Sequence, residues 1–255
     1  MIELSIKAEF GALERALLDM SRELKDKAAA TAVSRTAARA RLELRDRMPE
    51  IFNRPTSFTV NSIRYKADPG ARSAALFISE DAPKGTAPAT YLRAEIMGGA
   101  RRDKRSERAF IMRGSMAPDQ QMMPGEGAPR DAHGNIPRGF ITRIMSRIGA
   151  FGEQGYAANA SATTRRRLAK QKLAHRSSGT DFFVGKNRDG RPGAIYRVIG
   201  NHQIRPVLIF ADRKAHYRKR FDFEGLAHRS FGMLWPKEMR RAFYETMEAL
   251  GLKAK

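Results

Sequence analysis

Residues 10–48 read FGALERALLDMSRELKDKAAATAVSRTAARARLELRDRM. Phe10, Leu13, Leu17, Met20, Leu24 and Ala28 recur every three or four positions, which is one face of an α-helix. The alanine-rich continuation carries the helix to Met48, and Pro49 is expected to stop it. Acids crowd the early part (Glu9, Glu14, Asp19, Glu23) and arginines the late part (Arg35, Arg39, Arg41, Arg45, Arg47), and both biases favour the helix dipole. The arginines read as a solvated helix face.

The flanking segments supply the cover for that helix. IELSIKA, residues 2–8, places Ile2, Leu4, Ile6 and Ala8 on one face of a short strand. Residues 62–67 and 73–79 read as two strands joined by Asp68-Pro69-Gly70, a hairpin packed on the helix. Tyr91, Leu92 and Ile96 are expected to pack, with Gly98-Gly99 as a break and a basic helix near 103–112. Residues 114–137 hold four Gly and four Pro and read as a long loop, functional or disordered. Its Met116, Met122 and Met123 are expected to become ordered against a neighbour. Ile141, Ile144, Met145 and Ile148 share one helical face.

Further on, residues 181–200 read as strand, glycine turn, strand. IRPVLIFA, residues 204–211, is apolar on both faces and reads as a central strand. Pro236 suits the first turn of a final helix with Met239, Phe243, Met247 and Leu250 inward. The predicted core comprises Leu13, Leu17, Met20, Leu24, Ile63, Phe77, Ile195, Val198, Leu208, Phe210, Phe243 and Met247. The fold class is α+β: a long N-terminal helix on a small, mainly antiparallel sheet, then C-terminal helices. Residues 1–99 and 181–255 form one domain, and 100–180 are an irregular, basic, Gly/Pro-rich insertion.

The chain has 255 residues and a formal net charge of +21, from 48 basic and 27 acidic residues. Such an excess favours polyanions or acidic protein surfaces as partners. Cysteine is absent, which excludes disulfides, thiolate nucleophiles and Cys-ligated metals. The N-terminus does not read as a signal peptide. The longest aliphatic or aromatic run, Val207–Ala211, falls far short of the roughly 20 residues of a membrane span, so a soluble protein is expected.

Catalytic patterns are missing. His133, His175, His202, His216 and His228 are scattered without metal-ligand spacing, and DAHGN around His133 reads as a turn. There is no nucleophile elbow, Walker A or dinucleotide fingerprint, and Gly125-Glu126-Gly127 is too short for a phosphate loop. No enzyme and no cofactor are expected. Three basic clusters remain, and they supply the candidate contacts for nucleic acid or an acidic partner. The first contributes Arg101, Arg102, Lys104 and Arg105. The second contributes Arg165, Arg166, Arg167, Lys170, Lys172 and Arg176. The third contributes Arg213, Lys214, Arg218, Lys219 and Arg220. No recognition motif and few interleaved aromatics accompany them, so nonspecific backbone contact is the reading.

Three stretches carry a family likeness: AAATAVSRTAARARLELRDRM, GKNRDGRPGAIYRVIGNHQIRPV and FGMLWPKEMRRAFYETMEAL. With them the chain resembles the minor tail protein Z family of tailed phages, the lambda-type tail completion proteins. APATYLRAEIMGGARRDKRSERAF and DAHGNIPRG also look like longer phage tail proteins. The insertion at 100–180 is longer than the compact family pattern. The resemblance implies a structural virion component of the neck, joining tail to head and lining or contacting the DNA channel. It implies tail terminator and head completion or adaptor proteins as partners, and a homo-oligomeric ring, a hexamer by the sixfold symmetry of such tails. It brings no catalytic residues, no cofactor and no membrane. The alternative class is a free, nonspecific nucleic-acid-binding protein.

Overall fold

The computed structural model describes residues 3–7, 22–68, 70, 72–83, 85–152, 159–164, 166–167, 182–199 and 203–251. The chain forms two compact units, one of residues 1–99 with 217–255 and one of residues 100–216. It crosses between them at two short strands, β4 (Gly99–Ala100) and β9 (His216–Tyr217).

In the first unit, helix α1 (Arg22–Ile51) lies against α6 (Phe223–Ala249) and a three-stranded sheet. Ala28, Ala29 and Ala32 pack with Met239 and Ala242, so small side chains on α1 let the two helices approach closely. Further along α1, Ala40, Leu44 and Met48 join the core of the sheet. The sheet has strands β1 (Glu3–Lys7), β2 (Ile63–Asp68) and β3 (Ser73–Ile78) in the order β1-β3-β2, all antiparallel. Ala74, Leu76 and Ile78 alternate into the core while Phe77 points to the other face and is half-buried, which corrects its place in the predicted core. Helix α3 (Pro88–Met97), which follows the short helix α2 (Ser57–Val60), buries Leu92 and Ile96. Tyr91, expected to pack, is exposed instead, and its hydroxyl lies 3.0 Å from Thr59 Oγ1.

Two prolines do less than expected. Pro49 sits within the last turn of α1, and the helix closes beyond it through Phe52 N–H donating to Met48 O at 2.9 Å. Pro236 does not begin a helix; α6 runs through it. Ala227 and Ser230 before it, and Met239 and Ala242 after it, are all buried, so packing on both sides outweighs one lost backbone bond. The start of α6 is capped by Asp222, whose carboxylate accepts from Gly225 N–H at 3.3 Å. A Cβ at Gly225 would stand 2.0 Å from that carboxylate, so any other residue there would push the capping side chain from this position. Arg35 and Arg39 are not simply solvated: they reach Glu245 and Glu238 of α6 at 2.6 and 2.7 Å. Leu24 and Ile63 are buried as expected, Phe243 and Met247 only partly, and Leu13, Leu17 and Met20 lie outside the described residues.

The second unit has its own core. Its sheet runs in the order β5-β8-β7-β6, formed by β5 (Gln121–Pro124), β6 (Phe182–Lys186), β7 (Pro192–Ile199) and β8 (Gln203–Ala211), all antiparallel. Helices α4 (Arg105–Met112) and α5 (Arg138–Ile148) supply Phe110, Phe140 and Ile144 to a core with Met116, Met122, Ile195, Leu208 and Phe210. This moves the second domain boundary from 180/181 to His216/Tyr217. The cause is strand pairing: Met122 of β5 lies opposite Phe210 of β8, so the terminal strands belong with the insertion. Met116 and Met122 are ordered within the unit, while Met123 is 52% exposed. β8 is central, as its sequence suggests, but only one of its faces is covered, and Ile204 and Ile209 remain exposed. Val198, a predicted core residue, is half-buried near the end of β7.

Candidate nucleic-acid interface

The first basic cluster is built around a buried acid. Glu107 is 1% exposed and stands in the first turn of α4. Arg101 holds both its oxygens through two guanidinium contacts, at 2.8 and 2.5 Å. Lys104 N–H donates to Oε2 at 2.6 Å and Met122 N–H donates to Oε1 at 2.9 Å. Burial alone would raise the carboxyl's pKa; the Arg101 guanidinium and the two backbone N–H groups outweigh it and hold the group below the usual glutamate range. Arg101 is therefore a structural residue, 15% exposed, and not the open contact expected of it.

Three more polar ties fix the surrounding segments. Lys214 meets Asp103 at 2.9 Å, so it too is engaged. Gln121 Oε1 accepts from Ala215 N–H at 2.6 Å. The Gln120 amide donates to Pro192 O at 2.7 Å and to Asp212 Oδ1 at 2.8 Å, and its own oxygen accepts from Ala117 N–H at 2.9 Å. Gln120 and Gln121 are buried with these groups satisfied, which is the condition for a rigid polar network. Residues 101–107, 117–122 and 212–215 are thus tied together although they are far apart in sequence.

This network presents Arg102, Arg105 and Arg213 to solvent, and Lys104 with them, although partial burial and the neighbouring Arg101 charge lower the pKa of its ammonium. Arg108, one helical turn beyond Arg105, is exposed on the same face of α4. Arg102, Arg105, Arg108 and Arg213 form no ion pair among the described residues. The third cluster is divided at His216/Tyr217. In the first unit Arg218 is exposed, Lys219 pairs with Asp222 at 2.9 Å, and Arg220 donates to Ile51 O at 2.7 Å. Of the second cluster, Arg166 and Arg167 are helical and exposed, and Arg165, Lys170, Lys172 and Arg176 lie outside the described residues.

Sequence reading missed Glu107, Gln120 and Gln121 as the groups that organise the patch. The spacing from Lys104 to Glu107 carried the available signal, an acid at the third helical position reaching back to the N-cap N–H. Gly125-Glu126-Gly127 presents no anion cradle, because Gly125 N–H donates to Val207 O at 3.0 Å and Gly127 N–H to Pro206 O at 2.8 Å. A Cβ at Gly125 would stand 2.3 Å from Pro206 O, so this turn needs glycine to lie against β8. His133 sits in a turn, as expected, where Asp131 accepts from His133 and Asn135 N–H at 2.9 and 2.8 Å.

Among the described residues no three His, Asp or Glu side chains converge as metal ligands, and no helix is long and apolar enough to cross a membrane. A cleft of about 500 Å³ between α1 and α6 is floored by Leu44, Leu226 and Met233. Of its three acids, Asp46 and Glu50 are paired with Arg45 and Arg47, and Glu43 is the third. No protein-family model, curated protein or solved structure matches the chain.

Proposed function

We propose that this chain is a structural virion protein of a tailed phage, a tail completion component of the neck that acts by contact and not by catalysis. The observation that carries the reading is the surface on the second unit, where a satisfied buried network holds several exposed cations in place. A neck protein stands beside densely charged DNA, and a net charge of +21 suits that surrounding. The likeness to tail completion proteins in the Ala-rich helix, the 185–207 stretch and the C-terminal helix supports the same place. On this reading the chain forms a ring, a hexamer, against the tail terminator and the head completion or adaptor proteins.

The test is particle assembly with and without the chain. Purified particles should contain it in multiple copies, and tails made without it should lack density at the top and fail to join filled heads. One or two copies per particle would sink the ring, and complete, infectious particles without the chain would sink the virion reading.

The same exposed cations favour a second reading, a nonspecific nucleic-acid-binding protein that works alone. Such a protein binds DNA as a monomer and is absent from purified particles.

A further inference from the structure

We infer that Arg102, Lys104, Arg105, Arg108 and Arg213 form one preorganised surface that holds the phosphate backbone of duplex DNA. This deepens the DNA contact named in both readings above and assigns it to particular residues of the second unit. Arg102 and Lys104 come from the loop that Glu107 and Asp103 anchor, Arg105 and Arg108 from the open face of α4, and Arg213 from the segment after β8. Arg101 and Lys214, which sequence alone would count among the contacts, are engaged with Glu107 and Asp103. Asp103 and Glu107 are thereby neutralised; Asp212, which accepts the Gln120 amide, keeps its charge and is outnumbered by the five cations. The exposed remainder is strongly positive.

Three features favour phosphate over a protein partner. The backbone that carries the cations is held in a fixed frame, so little loop ordering is left to the moment of binding. Stable protein interfaces have a desolvated apolar centre, whereas the segments that carry these cations, residues 101–108 and 212–215, contain no apolar side chain larger than alanine. Residues 101–108 and 212–215 themselves hold no Phe, Tyr or Trp to stack on bases, so the contact is to backbone and carries no sequence code.

The test uses the full chain and a 24-base-pair duplex, with affinity measured by fluorescence anisotropy across a salt series. The variant Arg102→Gln/Arg105→Gln/Arg213→Gln removes three cations from the surface. The control Lys66→Gln/Lys237→Gln/Arg240→Gln removes three exposed cations from the first unit. If the three arginines each neutralise a phosphate, the slope of log affinity against log salt should flatten by about 2.7 in the first variant. The control should keep the parental slope, and the first variant should bind unrelated duplex sequences with equal loss. Melting temperatures of both variants should match the parent, which shows that the frame is intact. Equal flattening in both variants would overturn the surface and leave only diffuse charge. An unchanged slope with failed head joining would overturn it in favour of an acidic protein contact. Whether the chain is present in purified particles is scored separately: flattening with the chain absent from particles sinks the virion reading and leaves the surface standing.

Discussion

The Arg101 guanidinium grips the Glu107 carboxylate at both oxygens, and Glu107 in turn holds the backbone N–H groups of Lys104 and Met122. One buried acid therefore ties the basic loop to strand β5. Removing one partner of such a pair leaves a buried charge without compensation, at a cost of about 3–5 kcal/mol. Arg101→Gln should destabilise the second unit by that order in urea unfolding. Arg102→Gln, the adjacent exposed residue, should stay within about 0.5 kcal/mol of the parent. Equal, small effects at both positions would mean that Arg101 is a surface charge like its neighbour.

The same carboxylate gives the stability a pH dependence with a definite sign. The pKa of Glu107 is lowered in the folded protein, so the unfolded chain binds the proton more readily. Its stabilisation is complete above the unfolded value, near pH 4.3, and is lost as pH falls through the depressed folded value. Exposed, depressed acids such as Asp131 and Asp222 add their own acid dependence. The difference between parent and Glu107→Gln isolates the buried group. Below about pH 4.3 the parent should lose stability more steeply with falling pH than Glu107→Gln does. Parallel curves would show that Glu107 titrates as it does in the unfolded chain.

Much of the architecture is legible because local rules and tertiary burial agree. Leu24, Ala28, Ala32 and Leu44 follow the helical period and are buried. The strands around Asp68-Pro69-Gly70 and the pair 182–186 and 192–199 stand where alternation and turn residues place them. The second unit's identity was hidden because it rests on pairing across distance. Nothing local to Met122 announces that it lies opposite Phe210, in a stretch whose glycines and prolines read as loop. The basic patch was legible as charge alone. Its sorting into engaged and open cations depends on Asp103, Glu107 and Gln120, whose partners come from the fold.

Because each unit has its own core, mutational coupling should follow the cores. Phe110 and Phe210 lie in the core of the second unit with ring centroids 6.5 Å apart, and Leu44 lies in the core of the first. Truncation of either phenylalanine to Ala should cost about 3–5 kcal/mol, and Leu44→Ala about 2–5 kcal/mol. In a double-mutant cycle the two phenylalanines should show an interaction of about 0.5–3 kcal/mol, whereas Phe110 and Leu44 should add within about 0.5 kcal/mol. Strong coupling between Phe110 and Leu44, measured by urea unfolding, would argue for a single shared core.

Pro236 offers the cleanest test of the C-terminal helix. It lies in the interior of α6 and its side chain is exposed, so little packing depends on its ring. In that position proline removes one backbone hydrogen bond and presses its ring on the carbonyl four residues back, here that of Gly232. Relative to alanine in a helix interior this costs about 3 kcal/mol. The helix persists because Ala227 and Ser230 on one side and Met239 and Ala242 on the other are buried. Pro236→Ala should restore the bond without disturbing those contacts. The unfolded chain gains freedom when proline is lost, which offsets up to about 1 kcal/mol of the gain. A net stabilisation of about 2–3 kcal/mol is therefore expected, read as a higher urea midpoint with an unchanged slope. A lower midpoint would mean that α6 is two helices joined at Pro236, with the proline fixing the turn between them.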